Sequence, residues 1–284
     1  MSDTNDIPGG KDVLVEFDDG IAWVYLNRPD KRNAMSVELA REMNAVFDAL
    51  EIDDRAKVIV LSGKGEAFSA GMDLQGFFRA TDKVTDVARH RAYRETRAWQ
   101  WRTLIHYAKP TIAMVNGWCF GGAFTPLICC DLAITDKDAT FGLSEINWGI
   151  IPGGVVSKAI TTLMGDREAM YYVMTGEKFD GTRAKELGLV NEAVPADKLR
   201  ERTRELAMVL RDKNPTVLRQ ARMAVKWARE MDWEMASEYL QAKVDQTTFV
   251  DPEKGREQGL KQFLDEKTFK PGHGHYERRE VEQS

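Results

Sequence analysis

Two glycine-rich corners and one carboxylate hold the residue types from which acyl chemistry can be built. Ala70-Gly71-Met72-Asp73 forms one corner, and Asn116-Gly117 with Gly121-Gly122 forms the other; each follows an apolar strand-like run and leads into a segment of helical character. Small residues let a backbone approach a ligand, and the amides of a first helical turn lack internal acceptors. Two such corners facing each other can therefore clamp one oxygen anion. On the residues alone, a tight strand–helix junction is the plainer account of each corner and takes precedence. The carboxylate is Glu145, within Leu143-Ser144-Glu145-Ile146-Asn147-Trp148. Apolar neighbours on both sides would desolvate it and raise its pKa toward neutrality, so that one group could serve as general acid and general base. A loop glutamate bonded to backbone amides stays open beside that reading.

Other motifs carry less. Gly63-Lys64-Gly65-Glu66 follows a strand but lacks the third glycine of a dinucleotide loop and the Lys-Ser/Thr of a phosphate loop, so it reads as a turn. Gly142-Leu143-Ser144-Glu145-Ile146 lacks the last glycine of a hydrolase elbow, and none of His90, His106, His273 or His275 is placed by the sequence for a triad. Cys119, Cys129 and Cys130 form no CxxC and no zinc set, and read as buried thiols of a reducing cytosol.

The elements that must position these residues alternate. Strand-like runs at 13–17 and 21–26 flank Asp18-Asp19-Gly20, a hairpin signal. Ser36 stands at an N-cap before Leu39, Met43, Val46, Phe47 and Leu50 at helical spacing. The pattern then predicts a strand at 57–62, a long helix at 84–107, a strand at 111–115, a short apolar helix at 121–130, and strands at 132–135 and 139–141. Strands alternating with helices predict an α/β chain whose sheet lies between helices. From about Pro195 the pattern turns helical, at 199–210, 217–228, 233–249 and 257–264, broken at Pro215, Asp232 and Pro252, and the polar stretch 271–284 is expected to fray.

The chain has 284 residues, 43% hydrophobic, enough for a packed core. Its length lies near the ~250–300-residue limit of a single core, which favours one main domain (1–200) with a C-terminal helical appendage (201–284). The 40 basic residues against 45 acidic ones, a net charge of −5, argue against a nucleic-acid partner. The start, MSDTNDIPGGKD, shows no secretory pattern, so a cytoplasmic location is expected. The uncharged stretch 111–130 has the length of a membrane span, but Asn116, Gly117, Gly121, Gly122 and Pro126 interrupt it, and strand, turn and helix explain it better.

Asn27-Arg28-Pro29 with Asn33-Ala34-Met35-Ser36, Phe68 to Asp73, Lys109-Pro110-Thr111-Ile112-Ala113 through Gly121-Gly122, and Ala139-Thr140-Phe141-Gly142 with Pro152-Gly153 together resemble the enoyl-CoA hydratase/isomerase (crotonase) superfamily. Within it, Asn116 to Gly122, Ser144 to Ile150, Trp99-Gln100-Trp101 and Gly255-Arg256-Glu257-Gln258-Gly259 are similar to bacterial hydroxycinnamoyl-CoA hydratase-lyases. The resemblance implies a spiral of ββα units with a C-terminal helical region that makes trimers, often paired into hexamers. It implies a thioester oxygen held by the N–H groups of Met72 and Gly122, with Glu145 as acid and base. Thr125 stands where ordinary hydratases of the superfamily carry a first catalytic glutamate.

The implied reaction hydrates an aryl-propenoyl-CoA such as feruloyl- or p-coumaroyl-CoA, then cleaves it by a retro-aldol step to an aromatic aldehyde and acetyl-CoA. Coenzyme A is then part of the substrate, and no metal or other cofactor is implied. Implied substrate contacts are Thr125, Trp148, Tyr239 and the pair Phe77 and Gln241, which stand where the subfamily carries tyrosines near the ring hydroxyl. Implied CoA contacts are Arg28, Lys31, Ala70, Phe263 and Lys267; for the charged ones a solvated surface role stays equally open. Two rivals remain: hydration or isomerisation of another acyl-CoA without C–C cleavage, and a non-catalytic acyl-CoA-binding protein.

Overall fold

The computed structural model describes residues 7–270, 272 and 274–280. They divide into two compact units, Met1–Arg211 and Asp212–Ser284. The first is built on a six-stranded sheet of β1 (Val13–Asp18), β2 (Ile21–Leu26), β3 (Val58–Gly63), β5 (Thr111–Val115), β7 (Leu132–Asp136) and β10 (Glu192–Val194), in that spatial order. The expected hairpin joins β1 to β2 through Asp19 and Gly20, both at positive φ (48° and 83°). All other pairings in this sheet are parallel.

Parallel strands covered on both faces read as unbroken apolar runs, and β2 (IAWVYL) is buried throughout. Its Ala22, Val24 and Leu26 pack with helix Val37–Ile52, whose N-cap Ser36 accepts from the Leu39 amide at 3.1 Å. Its Ile21, Trp23 and Tyr25 pack on the other face with Leu199 and Ala207 of helix Ala196–Arg211. That cover is why the first unit runs to Arg211, past the expected boundary at 200/201.

A second, smaller sheet carries the chemistry-bearing corners: β4 (Ala67–Ser69), β6 (Trp118–Phe120), β8 (Thr140–Gly142) and β9 (Lys178–Asp180), with β4, β6 and β8 parallel neighbours. The uncharged stretch 111–130 resolves into β5, β6 and the short helix Phe124–Cys129, and no helix among the described residues is long and apolar enough to cross a membrane. The helix expected at 84–107 is not uniform. It runs from Asp86 to Arg97, widens into a π-helical turn at Ala98–Thr103, and closes with Leu104–His106. Such turns are often found at functional positions.

The second unit contains helices Pro215–Ala228 and Trp233–Val250, then Gly255–Leu260 continuing as a π-helical turn over Lys261–Glu266. Pro215 starts its helix and does not break it: it occupies the first turn, where the missing N–H costs nothing, after Asn214 as N-cap.

The expectation of a frayed tail fails over 274–280. Gln262 exchanges two 2.8 Å hydrogen bonds with the backbone of Glu277, and Gln258 bonds the backbone of Arg279 at 2.8 and 2.9 Å. Arg278 pairs with Glu253, and Arg279 with Glu266. Two glutamines four residues apart on one helix face thus present side-chain amides as a strand edge would, and the polar tail adds to it. His273 and 281–284 lie outside the described residues, and among those described no group of three or more His, Cys, Asp or Glu could hold a metal.

Candidate active site

Three adjacent parallel strands end side by side, and each releases one part of the site. After β4 comes Ala70-Gly71-Met72, after β6 Gly121-Gly122, and after β8 Leu143-Ser144-Glu145. The first two corners touch through their backbones. Gly71 sits at φ +87°, and a methyl group built on its Cα would lie 2.5 Å from the Phe120 carbonyl oxygen and 3.1 Å from the Gly122 nitrogen. Only glycine allows that approach.

The Met72 amide is aimed by a single parallel bridge to Met35. Met35 N donates to Gly71 O at 2.8 Å, and Asp73 N donates to Met35 O at 3.0 Å. In such a bridge the residues flanking Met72 make the bonds, so its own N–H points the opposite way, the side on which Gly122 lies. A methyl group on Gly122 would stand 3.4 Å from the Met72 nitrogen. Gly122 lies in a single 3₁₀ turn, Gly121–Ala123, whose early N–H groups have no intrahelical acceptor. The two amides together can hold one developing oxyanion.

Glu145 lies in the turn Ser144–Trp148, closed by Gly149 at φ +72°. Its carboxyl packs against the second corner: a methyl group on Gly121 would be 2.9 Å from Oε1. Its Oε2 is buried without a hydrogen-bond partner among the described residues. Burial raises the Glu145 pKa above the ordinary carboxylate value, opposed only by a bond to its own backbone amide. Of the sequence alternative, a loop glutamate bonded to backbone amides, the bond to its own amide is present, while Oε2 has no partner among the described residues.

A raised folded-state pKa means that the folded chain holds this proton more tightly than the unfolded one. The stability that goes with it is fully present below the unfolded pKa and is lost as pH rises through the folded pKa. Glu145→Gln should therefore melt at a higher temperature than the wild type at alkaline pH and match it at acid pH, as calorimetry across that range would register.

The first corner is braced from outside. Asn33, buried and at φ +56°, accepts from Arg28 N at 2.9 Å and donates to the carbonyls of Lys64 (2.9 Å) and Ala67 (2.7 Å). Ser69 Oγ donates to Asn33 O and accepts from Gly71 N. Asp73 caps the next turn, Leu74–Arg79, accepting from Gln75 N and Gly76 N while pairing with Arg28 at 2.9 Å. Burial alone would raise its pKa, but the bonds from Gly76, Arg28 and Gln75 hold it below the ordinary value. Asn33→Ala strands two carbonyls and should cost about 3 kcal/mol of unfolding free energy, measured in urea.

The remaining expected contacts fall as follows. Thr125 is buried in helix Phe124–Cys129, and Trp148 is exposed at the end of the Glu145 turn. Phe77 is 2% exposed, its ring 4.9 Å from Tyr93 and 5.5 Å from Phe78, in a cluster that also packs Met72. Ala70 donates its N–H to Arg32 O at 2.8 Å. Arg28 is engaged with Asp12, Asp73 and the Ala34 carbonyl, while Lys31 is exposed on the turn Pro29–Lys31.

The others belong to the second unit. Tyr239 is half-buried, with Lys243 Nζ 5.6 Å from its ring centre; Gln241 is exposed and bonds Asp245. Phe263 lines a hollow with Gly255, Arg256, Gly259, Leu260 and Phe269, and Lys267 is exposed. Sequence reasoning missed Asn33 as a brace and Gln100, which reaches the sulfurs of Met35 and Met72. A lone glutamine between two tryptophans was the available signal for the latter.

Residues 16–272 match the family described as enoyl-CoA hydratase/isomerase. Over 94% of its length the chain is 57% identical to the hydroxycinnamoyl-CoA hydratase-lyase of Pseudomonas fluorescens, covering 97% of that protein. A solved enoyl-CoA hydratase subunit from Geobacillus kaustophilus superposes with a TM-score of 0.80 at 28% identity, covering 90% of this chain and 95% of the other. The enoyl-CoA hydratase of Bacillus anthracis gives 0.81 at 26%, covering 90% and 96%. Paired glycine corners on adjacent strands, one desolvated glutamate and a match along nearly the whole chain lead to one assignment: this chain belongs to the enoyl-CoA hydratase/isomerase family, with its crotonase fold.

Proposed function

We propose that this chain is a hydroxycinnamoyl-CoA hydratase-lyase, acting on feruloyl-, p-coumaroyl- or a related aryl-propenoyl-CoA. The observation that carries the proposal is the Glu145 carboxyl, desolvated and packed on Gly121, one residue from the Gly122 amide. The 57% identity to a relative of that name supports the choice of reaction.

The steps follow from the chemistry. Glu145 takes a proton from water as its oxygen bonds the β-carbon, and the electron pair of the double bond moves onto the thioester oxygen between the Met72 and Gly122 amides. Protonated Glu145 returns the proton to the α-carbon, giving the β-hydroxyacyl-CoA. Glu145 then removes the β-hydroxyl proton, the Cα–Cβ bond breaks, and the aldehyde leaves. The acetyl-CoA enolate, held in the same amide pair, takes the proton back, so atoms and charge balance with no cofactor beyond the substrate's own CoA. Thr125 is neutral and cannot replace Glu145 near pH 7, which makes one carboxyl the only titrating partner in this scheme.

In the same reading Thr125, Trp148 and Phe77 of the first unit border the aryl-propenoyl group, and Tyr239 and Gln241 are the second unit's own candidates for substrate contact. Gln241 can hydrogen-bond a phenol where Phe77 can only pack. Lys31, Arg28 and Ala70 of the first unit serve the CoA moiety, and Phe263 and Lys267 are the second unit's own candidates for CoA contact. The reading includes self-association into a homotrimer, alone or paired, supported by large exposed apolar side chains such as Trp233 (92%) and Phe249 (91%). It also includes a cytoplasmic location, supported by three buried cysteines, Cys119, Cys129 and Cys130, that form no disulfide with one another.

The test is to supply feruloyl-CoA and p-coumaroyl-CoA and assay products by chromatography. Aldehyde and acetyl-CoA in equal amounts are expected. Hydrated thioester without aldehyde, together with brisk turnover of crotonyl-CoA, would overturn the lyase in favour of a plain hydratase.

A further inference from the structure

We propose that Gln100 is a positioning residue that locks the two glycine corners together through the sulfurs of Met35 and Met72. It sits in the π-helical turn Ala98–Thr103, 7% exposed, and its Nε2 lies 3.3 Å from Met35 Sδ and 3.4 Å from Met72 Sδ. Both methionines reach the second corner as well. A methyl group on Gly122 would meet Met72 Cγ at 3.0 Å and Met35 Cε at 3.3 Å. Met35 and Met72 are also the bridge that turns the Met72 N–H toward Gly122. One side-chain amide thus holds the two flexible chains that lie against Gly122.

Bond strength does not explain a glutamine at this buried position. A thioether is a weak acceptor, and a leucine would fill similar space without desolvating an amide. What the amide adds is direction. Methionine has three rotatable bonds and repacks readily, and fixing both sulfurs removes that freedom where a small displacement of an oxyanion donor is costly in rate. The turn Ala98–Thr103 also packs against helix Phe124–Cys129, which follows Gly122, so Gln100 is anchored to the same corner that it aligns.

This inference rests on the proposed role of the Met72 and Gly122 amides, and the experiment separates the two. In Glu145→Gln, where the thioester is not consumed, bound cinnamoyl-CoA should absorb to the red of the free compound, because the amide pair polarises its carbonyl. Adding Gln100→Leu should remove about half of that shift or more while Kd stays within about threefold. In the otherwise native enzyme Gln100→Leu should lower kcat with feruloyl-CoA about tenfold, with KM within about threefold. Met35→Leu, which removes one sulfur at similar volume, should give a smaller loss of the same kind. It decides the matter by itself if Gln100→Leu does not fold. A full red shift with unchanged kcat in either folded variant, or a loss confined to KM, would overturn the role of Gln100. No red shift in Glu145→Gln itself would overturn the amide pair.

Discussion

Glu145→Gln should lower kcat for the consumption of feruloyl-CoA by ~10³-fold or more while leaving KM within a few-fold, as stopped-flow decay of the thioester absorbance would measure. The substitution keeps the shape of the side chain and its packing on Gly121, and it removes the one group of the scheme that can take and return a proton. A loss of less than about tenfold would mean that another base works here. The pH profile of the native enzyme gives an independent reading. In the proposed scheme Glu145 acts first as a base, so kcat/KM should rise with pH through its pKa. Burial places that pKa above the ordinary glutamate value, and the acid limb should be displaced upward with it. An acid limb at or below the ordinary value would contradict the desolvated site.

The second large effect belongs to the corner itself. Gly71→Ala puts a methyl group 2.5 Å from the Phe120 carbonyl oxygen and 3.1 Å from the Gly122 nitrogen, on a residue whose φ of +87° an L side chain rarely adopts. Backbone stands on both sides, so the strain can be relieved only by moving the corners apart. Removing one oxyanion donor typically costs ~10²–10³ in rate, and a displaced pair should lose about 10² in kcat for hydration and cleavage alike. Equal losses in the two steps are the informative part. If cleavage of the hydrated thioester survived while hydration fell, the enolates of the two steps would not share one amide pair.

The first unit was largely readable because its signals are local. Asp19-Gly20 supplies the positive φ values of the hairpin, Ser36 caps the helix it precedes, and β2 and β3 are apolar runs long enough for strands but not for helices. Ala70 to Asp73 and Gly121-Gly122 were legible as strand–helix junctions, which they are, whereas Asn116-Gly117 joins β5 to β6, a strand that the sequence did not signal. The contact of the two junctions with each other was not legible, because β4 and β6 become neighbours only through pairing across the interval from 69 to 118. Glu145 was visible as a carboxylate among apolar residues. That its Oε2 has no partner among the described residues depends on what the chain around Gly121 and Gly122 leaves unfilled.

Three features were out of reach for stated reasons. The boundary at Arg211 depends on helix Ala196–Arg211 covering one face of the sheet, and its own pattern says only that it is amphipathic. The π-helical turn at Ala98–Thr103, in which Trp99 and Gln100 are buried, spans only six residues, too few for apolar spacing to mark it off from the helix before it. The ordered run 274–280 looks like any charged tail until Gln258 and Gln262 are seen to bond its backbone. Polarity and lack of pattern are poor signs of disorder when a helix presents amide side chains at matching spacing.

In the proposed mechanism one carboxyl and one amide pair perform both the addition of water and the cleavage that follows. The most direct measurement bypasses the first step: chemically prepared β-hydroxy-aryl-propionyl-CoA is given to the native chain and to Glu145→Gln, and aldehyde release is followed. The native chain should release aldehyde together with acetyl-CoA in equal amounts, and Glu145→Gln should be slowed by ~10³-fold, as it is for the unsaturated thioester. Aldehyde release by Glu145→Gln at the native rate would show that a different group breaks the Cα–Cβ bond.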